Sequence, residues 1–241
     1  MKLVILASGR GSRLKHFTSK KPKCLVKLND STILSYLRNS FKLFNETIVI
    51  TGYRSNLIKN EIKDGAKFVR NKDYMKTNMV HSLFCASNLI DEDIIVSYSD
   101  IIFDPLILKK LFKCKRSTVP LNSLWLDNWK KRMPMKDIYT DAEDVKVKGK
   151  QIISIGGKII KNKLPKMQFM GLMKIKKNDY LKMKIKYEEI KDLNIDFTTF
   201  INLIIKSKTI KIEYIKSNSF WTEIDSSEDL KVAEKLIKKY K

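Results

Sequence analysis

Apolar runs alternate with amphipathic segments along the first half of the chain. Short apolar runs predict buried strands, and apolar residues that recur every three or four positions predict helices. The predicted strands are Lys2–Ala7, Glu46–Thr51, Ala66–Arg70 and Asp93–Ser97, and the predicted helices are Ser31–Phe44, Ser55–Lys63 and Asn78–Leu89. Because strands and helices alternate, we expect right-handed β-α-β units and a mixed, mainly parallel central sheet flanked by helices.

The pattern is looser between residues 117 and 171. Two short runs, Val145–Lys150 and Gln151–Ile155, predict a strand pair that turns at Gly149, and Met167–Ile175 predicts a further strand. There is no internal repeat, low-complexity segment or linker. We therefore predict one Rossmann-like α/β domain over residues 1–241, in which residues of about 117–171 form a small lobe.

The last 21 residues follow a clearer pattern. A strand is predicted over Trp221–Ile224, with Asp225 at its carboxyl end. Ser226 and Asp229 have the spacing of a capping box, which marks the start of a helix. Leu230 then begins an apolar stripe at helical spacing. The chain is thus predicted to end in an amphipathic helix.

The first predicted strand opens into a small basic loop that suits a polyphosphate. Gly9 and Gly11 let the backbone turn and bring its N–H groups close to an anion, and Arg13 and Lys23 supply cationic side chains. Two common phosphate loops are excluded. The dinucleotide fingerprint needs a third glycine where this chain has Leu14, and the Gly-Lys-Ser/Thr of a P-loop is absent.

These residues, Gly-x-Gly-x-Arg-Leu at 9–14 and Pro-Lys-x-Leu at 22–25, resemble the signature loop of the sugar-nucleotidyltransferase-like family. The ending Glu223-Ile224-Asp225 with Glu228-Asp229-Leu230 is also similar to the family's ending. The resemblance implies that Lys23 and Arg13 are catalytic. It further implies a nucleotide site formed by Leu6, Ala7, Ser8, Gly9, Arg10, Gly11, Ser12, Asn78, Ser82 and Ser99.

Two aspartates are candidate ligands for Mg²⁺. Nucleotidyl transfer needs a divalent cation to neutralise charge on the phosphates, and Mg²⁺ prefers one or two carboxylates. Asp100 follows one predicted strand and Asp225 ends another. Either could instead cap a turn or a helix. The family places its metal aspartates in these two contexts, so the resemblance favours the metal.

The segment Asn78–Leu83 bears on which nucleotide is used. It resembles the corresponding segment of cytidylyltransferases that act on phosphocholine, aminoethylphosphonate and similar small amino compounds. Asn78 and Ser82 would then serve the nucleotide from a helix N-terminus, although Asn78 could be an ordinary helix cap. Hexose-1-phosphate enzymes carry a Gln-Pro-x-Gly-like loop in this region, which the chain lacks.

A cluster of aromatic and acidic residues is the candidate acceptor site. Trp125, Trp129, Asp141 and Glu143 could enclose an ammonium group, or the two tryptophans could be core residues. Choline-type enzymes tend to have an acid where this chain has Gln168. One anion fewer disfavours a quaternary ammonium and leaves room for a primary amine or an amide, as in phosphoethanolamine or phosphoglutamine.

The composition adds little to this picture. The formal net charge is +23, but the lysines are spread along the whole chain and no nucleic-acid-binding motif accompanies them. Cys24, Cys85 and Cys114 are isolated, which predicts free thiols. No apolar stretch approaches the roughly 20 residues of a membrane helix. With no recognisable signal peptide, we expect a cytoplasmic protein that does not bind nucleic acid and does not insert into membranes.

The sequence therefore predicts a Mg²⁺-dependent cytidylyltransferase. It would join CTP to a small amine- or amide-bearing phosphate or phosphonate, release pyrophosphate, and serve the decoration of a bacterial surface polysaccharide, as the resemblance implies. One alternative is a hexose-1-phosphate nucleotidyltransferase that uses UTP or dTTP. Another is a non-catalytic nucleotide- or RNA-binding protein. The oligomeric state is left open, a homodimer included.

Overall fold

A computed structural model describes residues 1–160 and 163–238. Its strands are β1 (Lys2–Ala7), β2 (Lys27–Leu28), β3 (Ser31–Thr32), β4 (Glu46–Thr51), β5 (Lys67–Arg70), β6 (Ile94–Tyr98), β7 (Ile101–Phe103), β8 (Thr118–Asn122), β9 (Glu143–Lys148), β10 (Gln151–Lys158), β11 (Gln168–Phe169), β12 (Leu172–Ile175), β13 (Glu213–Ser217) and β14 (Trp221–Glu223). Its helices are α1 (Ile33–Arg38), α2 (Ser55–Ile62), α3 (Met79–Cys85), α4 (Leu106–Lys113), α5 (Trp125–Trp129), α6 (Met135–Asp141), α7 (Lys177–Ile190), α8 (Phe197–Lys206) and α9 (Ser227–Lys238).

One large sheet organises the fold, with the strand order β5-β4-β1-β6-β12-β8-β13-β10-β9, and β11 pairs with β8. The half that contains β5, β4, β1 and β6 is entirely parallel. Beyond it, β12 runs antiparallel to β6, while β13 and β8 are parallel. This confirms the predicted mixed, mainly parallel sheet. The carboxyl ends of β1, β4 and β6 meet at one edge, which is where such sheets bind ligands.

Both faces of the sheet are covered. Along β1, Val4 and Leu6 face one core cluster, whereas Leu3, Ile5 and Ala7 face the other. All five are buried. A strand covered on both sides favours apolar residues at successive positions, which explains why residues 3–7 of β1 form an unbroken apolar run rather than an alternating pattern.

Several element bounds differ from the prediction. The segment predicted as one helix over Ser31–Phe44 contains the short strand β3, helix α1 and a separate 3₁₀ turn at Phe41–Leu43. The strand predicted over Met167–Ile175 is interrupted between β11 and β12. Gly171 lies at the interruption with a φ of +72°. A side chain there would contact the ring of Tyr98, so the chain turns where only glycine fits.

The segment of residues 117–171 is built into the main sheet. It contributes β8 and β11 near the centre and the β9–β10 pair at the far edge. This pair turns at Gly149, which has a φ of +57°, as predicted. All three cysteines are free thiols, also as predicted. In the described part of the chain, none of the helices is long and apolar enough to span a membrane.

Candidate active site

The loop after β1 and the Pro22-Lys23 segment are in direct contact. Gly11 has a φ of +74°, and a Cβ on this residue would lie 2.6 Å from the Cβ of Lys23. The hydroxyl of Thr18 donates to the carbonyl oxygen of Gly11 at 2.8 Å, which closes the intervening 3₁₀ segment onto the loop. The glycine therefore serves a close approach as well as a turn, and it brings the Lys23 side chain to the carboxyl end of the sheet.

The Lys23 ammonium lies between two carboxylates from distant parts of the sequence. Its Nζ is 2.6 Å from Oδ2 of Asp100, and it also donates to Oδ1 of Asp225. Arg13 completes the cluster, with its Nη2 2.8 Å from the same Oδ1 of Asp225. The structure thus brings together all four residues that were predicted to carry catalysis and metal binding.

Burial and opposite charges act against each other within this cluster. Burial alone would lower the pKa of Lys23, but Asp100 and Asp225 outweigh it and raise that pKa above its usual value. Burial likewise opposes ionisation of Asp225, whose pKa is nevertheless lowered by Lys23 and Arg13. The ionised forms of Lys23 and Asp225 are therefore favoured. Asp225 does not cap α9, because the Ser226 hydroxyl accepts the Asp229 N–H there at 3.2 Å.

The two carboxylates fit a divalent cation. They converge on one point, and in this structure a protein cation, the Lys23 ammonium, lies at that point. Among residues 1–160 and 163–238, no group of three or more acidic, histidine or cysteine side chains forms a metal site. Two carboxylates with further ligands from phosphates and water match the coordination that Mg²⁺ prefers.

A cavity of about 240 Å³ opens beside this cluster at the carboxyl ends of β1 and β6. Its lining includes all but two of the residues predicted for the nucleotide. The two exceptions are Ala7, which is 3% exposed and packs in the core, and Arg10, whose guanidinium lies over the ring of Tyr53. The residues that line the cavity are Leu6, Ser8, Gly9, Gly11, Ser12, Arg13, Lys23, Tyr74, Thr77, Asn78, Met79, Ser82, Ser99, Asp100 and Asp225.

Asn78 and Ser82 line the cavity but also serve the fold. The Asn78 side chain caps α3 by accepting from the N–H of Met79 at 2.8 Å, and its amide donates to the carbonyl of Asn194 at 3.1 Å. The Ser82 hydroxyl accepts from the buried amide of Asn71 at 3.0 Å. Asn78 therefore caps helix α3 and also lines the cavity, so the two roles that the sequence left open are compatible with each other.

Arg10 contacts an aromatic ring at the rim of the loop. Arg10 and Arg54 lie over the ring of Tyr53, with guanidinium carbons 5.6 and 5.8 Å from its centroid. Tyr53 is fixed at its backbone and at its side chain. Its backbone N–H donates to the carbonyl oxygen of Ser8 at 3.0 Å, and its hydroxyl donates to the carbonyl oxygen of Ser19 at 2.7 Å. These two exposed guanidinium groups add positive charge at the loop that follows β1.

A second cavity of about 190 Å³ adjoins the first and shares Arg13, Met79 and Asp225 with it. Carboxylates and aromatic rings dominate its wall. Four of the five residues predicted for the acceptor lie here. The lining residues are Arg13, Met79, Tyr98, Trp129, Asp141, Glu143, Gln168, Phe169, Gly171, Asp196, Phe197, Thr198, Glu223 and Asp225.

The two tryptophans differ from the expected ammonium cage. Trp125 does not line the cavity. It is 1% exposed, and its indole N–H donates to the carbonyl of Pro165 at 3.2 Å. Trp129 lines the cavity, but the guanidinium of Arg132 already lies 4.4 Å from its ring centroid. The buried Nε1 of Trp129 has no hydrogen-bond partner among the described residues. The Trp129 Nε1 is therefore shielded from the cavity as well as unpaired, and one face of the ring already holds a cation of the protein.

The carboxylates of the second cavity are partly deprived of solvent. Burial raises the pKa of Asp141, and the nearby Asp225 raises it further. Burial also raises the pKa of Glu143, although a hydrogen bond from Thr198 opposes the effect. The pKa of Glu223 is raised by burial and by Asp225 against the opposing charge of Arg132. A cationic group entering this cavity would compensate these buried negative charges.

Gln168 is on the cavity wall but is already hydrogen-bonded. The hydrogen-bond network assigns the orientation of its side-chain amide, with the nitrogen facing the Glu143 carbonyl oxygen and the oxygen facing the Glu143 N–H. In this orientation the amide donates to that carbonyl and accepts from that N–H, both at 3.0 Å. The sequence did not single out Asp196, Thr198 or Glu223 as acceptor-site residues. Glu223 could have been found, because it lies two positions before Asp225 and side chains two apart on a strand share a face.

The parallel sheet, the glycine loop and the Arg13–Lys23–Asp100–Asp225 cluster together define an α/β enzyme that handles nucleotides. Comparisons with known proteins make this specific. The model of the MobA-like NTP transferase domain matches residues 3–122. A CTP:phosphoglutamine cytidylyltransferase of Campylobacter jejuni is 31% identical over an alignment of 254 residues, covering 96% of this chain and 98% of the relative. The chain belongs to this family of nucleotidyltransferases.

Two further similarities extend over the whole chain. A choline-phosphate cytidylyltransferase of Streptococcus pneumoniae is 27% identical, and the alignment covers 99% of each chain. The solved structure of the inositol-1-phosphate CTP transferase from T. maritima superposes with a TM-score of 0.78 at 20% identity, covering 98% of this chain and 95% of that one. At this identity the structural match supports the fold alone, and it confirms the predicted fold class.

Proposed function

We propose that this enzyme transfers CMP from CTP to a small phosphate or phosphonate that carries an amine or an amide, with release of pyrophosphate. The observation that carries the proposal is the acid-lined cavity, which shares Arg13 and Asp225 with the phosphate-loop cavity. An acceptor could thus place its phosphate beside the nucleotide and its nitrogen among the carboxylates. The names of the two full-length cytidylyltransferase relatives support this choice.

The chemistry needs positioning and charge stabilisation rather than a general base. An oxygen of the acceptor phosphate, already an anion, attacks the α-phosphorus of CTP, and the bond from that phosphorus to pyrophosphate breaks. Lys23 would neutralise the α-phosphate, while Arg13 and the loop N–H groups of Ser8 to Ser12 would hold the β- and γ-phosphates. We propose Mg²⁺ as cofactor, held by Asp100 and Asp225, where it would neutralise charge on the phosphates.

An amide or primary amine suits the second cavity better than a trimethylammonium group. The side chains of Asp141 and Glu143 line this cavity and can accept N–H hydrogen bonds. A primary amine or a carboxamide supplies such N–H donors, whereas a quaternary ammonium has none and would compete with Arg132 for the face of Trp129.

We further propose that residues 1–241 form one catalytic unit in which the 117–171 segment builds the acceptor side. As the sequence suggests, the enzyme would act in the cytoplasm and supply an activated group for decorating a surface polysaccharide. Its net charge of +23 would then be a property of the solvated surface.

The test is a matrix of four nucleoside triphosphates against phosphorylated acceptors, followed by pyrophosphate release in the presence of Mg²⁺. The acceptors are phosphoglutamine, phosphoethanolamine, phosphocholine, aminoethylphosphonate and glucose-1-phosphate. Turnover with CTP and an amide or amine acceptor is the expected result. Turnover of glucose-1-phosphate with UTP or dTTP would instead establish the hexose-1-phosphate alternative. If no combination of nucleotide and acceptor releases pyrophosphate, a non-catalytic binding protein would be favoured.

A further inference from the structure

The amide of Gln168 holds the backbone of Glu143 in place. Gln168 is 4% exposed, and its two hydrogen bonds to the N–H and carbonyl of Glu143 reproduce one rung of a β-ladder with a side chain. Gln168 itself is anchored in the sheet, because β11 pairs with β8 at Asn122. The first residue of β9 is thereby tied to the centre of the sheet.

A second contact fixes the Glu143 side chain. The Thr198 hydroxyl donates to Oε1 of Glu143 at 2.7 Å and lies 3.0 Å from Oδ1 of Asp196, so it connects two carboxylates of the cavity wall. Thr198 in turn packs against Gly156, where an added Cβ would approach the Thr198 Cβ to 3.1 Å. Glu143 is held at its backbone by one residue and at its carboxylate by another.

We propose that Gln168 is a positioning residue for acceptor selection, acting through Glu143. It sets the backbone from which the Glu143 carboxylate reaches the nitrogen-bearing end of the acceptor, and both polar atoms of its amide are bonded to that backbone. This inference rests on the proposed function, because it takes the second cavity as the acceptor site. A carboxylate held in advance in its binding position loses less freedom when the acceptor arrives.

The proposal reverses the expected effect of an acid at position 168. From the sequence, glutamate here should attract cations. In the structure, an ionised glutamate could still accept from the Glu143 N–H, but it could not donate to the Glu143 carbonyl oxygen. It would instead place a negative charge against that oxygen. Gln168→Glu should therefore weaken binding of all nitrogen-bearing acceptors, phosphocholine included.

The experiment compares Gln168→Met and Gln168→Glu with Gln151→Met. Gln151 is the other glutamine of the chain and is exposed on β10, which makes it a matched control. We expect both Gln168 variants to raise the acceptor KM about tenfold, the scale of one or two lost hydrogen bonds. The KM for CTP and the turnover number should change less than about twofold, and the control should match the parent.

A double-mutant cycle separates positioning from general damage to the fold. In a Glu143→Ala background, Gln168→Met should add less than about twofold to the acceptor KM, because its effect passes through the missing carboxylate. Independent, multiplicative effects would overturn the proposal, as would an equal rise in the KM for CTP. If the Gln168 variants fail to fold, Thr198→Val tests the same argument from the other contact, and it should show the same acceptor-only defect.

The parent enzyme distinguishes failure of this inference from failure of the proposed function. If the parent turns over none of the nitrogen-bearing acceptors, the proposed function is wrong, and there is no longer a reason to assign the second cavity as the acceptor site. If the parent is active with such an acceptor but Gln168→Met behaves like the parent, the function stands and the role of Gln168 is refuted.

Discussion

Replacing Lys23 by methionine removes the ammonium that lies between Asp100 and Asp225 while keeping most of the apolar stem. The three side chains are 11, 25 and 16% exposed, so the carboxylates lose a largely buried partner. Removing one partner of a buried ion pair costs about 3–5 kcal/mol, and we expect about 3 kcal/mol here because Arg13 still contacts Asp225. For a chain of this size, that corresponds to a fall in Tm of about 6–12 °C.

Mg²⁺ should restore much of this lost stability. In the variant, the metal can bind the two carboxylates without displacing a lysine, so it should raise the Tm of Lys23→Met by more than it raises that of the parent. Turnover should nevertheless remain at least about a hundredfold below the parent, the scale of losing one preorganised charge at a transition state.

The pH dependence of the stability gives a further check. Lys23 and Arg13 lower the pKa of Asp225 in the folded protein. The stability that comes from this shift is present above the ordinary carboxyl pKa and is lost as pH falls through the lowered, folded pKa. Because Lys23→Met lacks most of the shift, the difference in Tm between parent and variant should be largest at neutral pH and should shrink in acid.

The assay is thermal unfolding by calorimetry at neutral and acidic pH, with and without Mg²⁺. Lys27→Met is the control, because Lys27 is an exposed lysine of the same segment and its loss should leave Tm, Mg²⁺ response and turnover unchanged. A Lys23→Met variant with the parent's Tm, or an equal response of both proteins to Mg²⁺, would refute the assignment of Lys23 as the cation that balances these two carboxylates.

Three further outcomes are expected. Asp100→Asn and Asp225→Asn should each abolish turnover at ordinary Mg²⁺ concentration and move the metal requirement to higher concentration. A variant that titrates with Mg²⁺ like the parent would show that its substituted aspartate does not bind the metal. Asp141→Asn should raise the KM for an amine acceptor about two- to tenfold and leave the KM for CTP nearly unchanged, as measured by steady-state kinetics. An unchanged acceptor KM would remove Asp141 from the acceptor site. Burial raises the pKa of Asp141 and of Glu143, so both carboxylates should become protonated at a higher pH than ordinary carboxylates. As pH is lowered, the KM for an amine acceptor should therefore begin to rise while the pH is still above the ordinary carboxyl pKa. A pH-independent KM would argue against a role of these two carboxylates in acceptor binding.

The strands of the parallel half could be predicted from the sequence because burial on both faces leaves an unmistakable apolar run. The bounds of β1 and β4 match the prediction to the residue. Elements whose ends depend on tertiary contacts could not be placed. The break at Gly171 exists because the ring of Tyr98 lies against it, and nothing in the local sequence records that contact.

The same distinction applies to the candidate site. Arg13 and Lys23 belong to one compact motif, so their proximity could be predicted. The roles expected for Trp125 and Gln168 depended on knowing which atoms of these side chains were already bonded, which a sequence does not give. The structure commits the indole N–H of Trp125 to Pro165 and the amide of Gln168 to Glu143. Residue types suggested a cavity, but hydrogen-bond partners decide which groups are free to bind in it.

The contact between Gly11 and Lys23 couples the position of the glycine loop to the position of the lysine side chain. Any side chain at position 11 would collide with the methylene groups of Lys23 and would displace the lysine ammonium from its place between the two carboxylates. Arg13, Leu14 and Thr18 in the connecting stretch are held by contacts, but the side chains of Lys15, His16, Ser19 and Lys20 are exposed. Substitutions at these four exposed positions should therefore be tolerated, whereas a single methyl group on Gly11 should disable the enzyme.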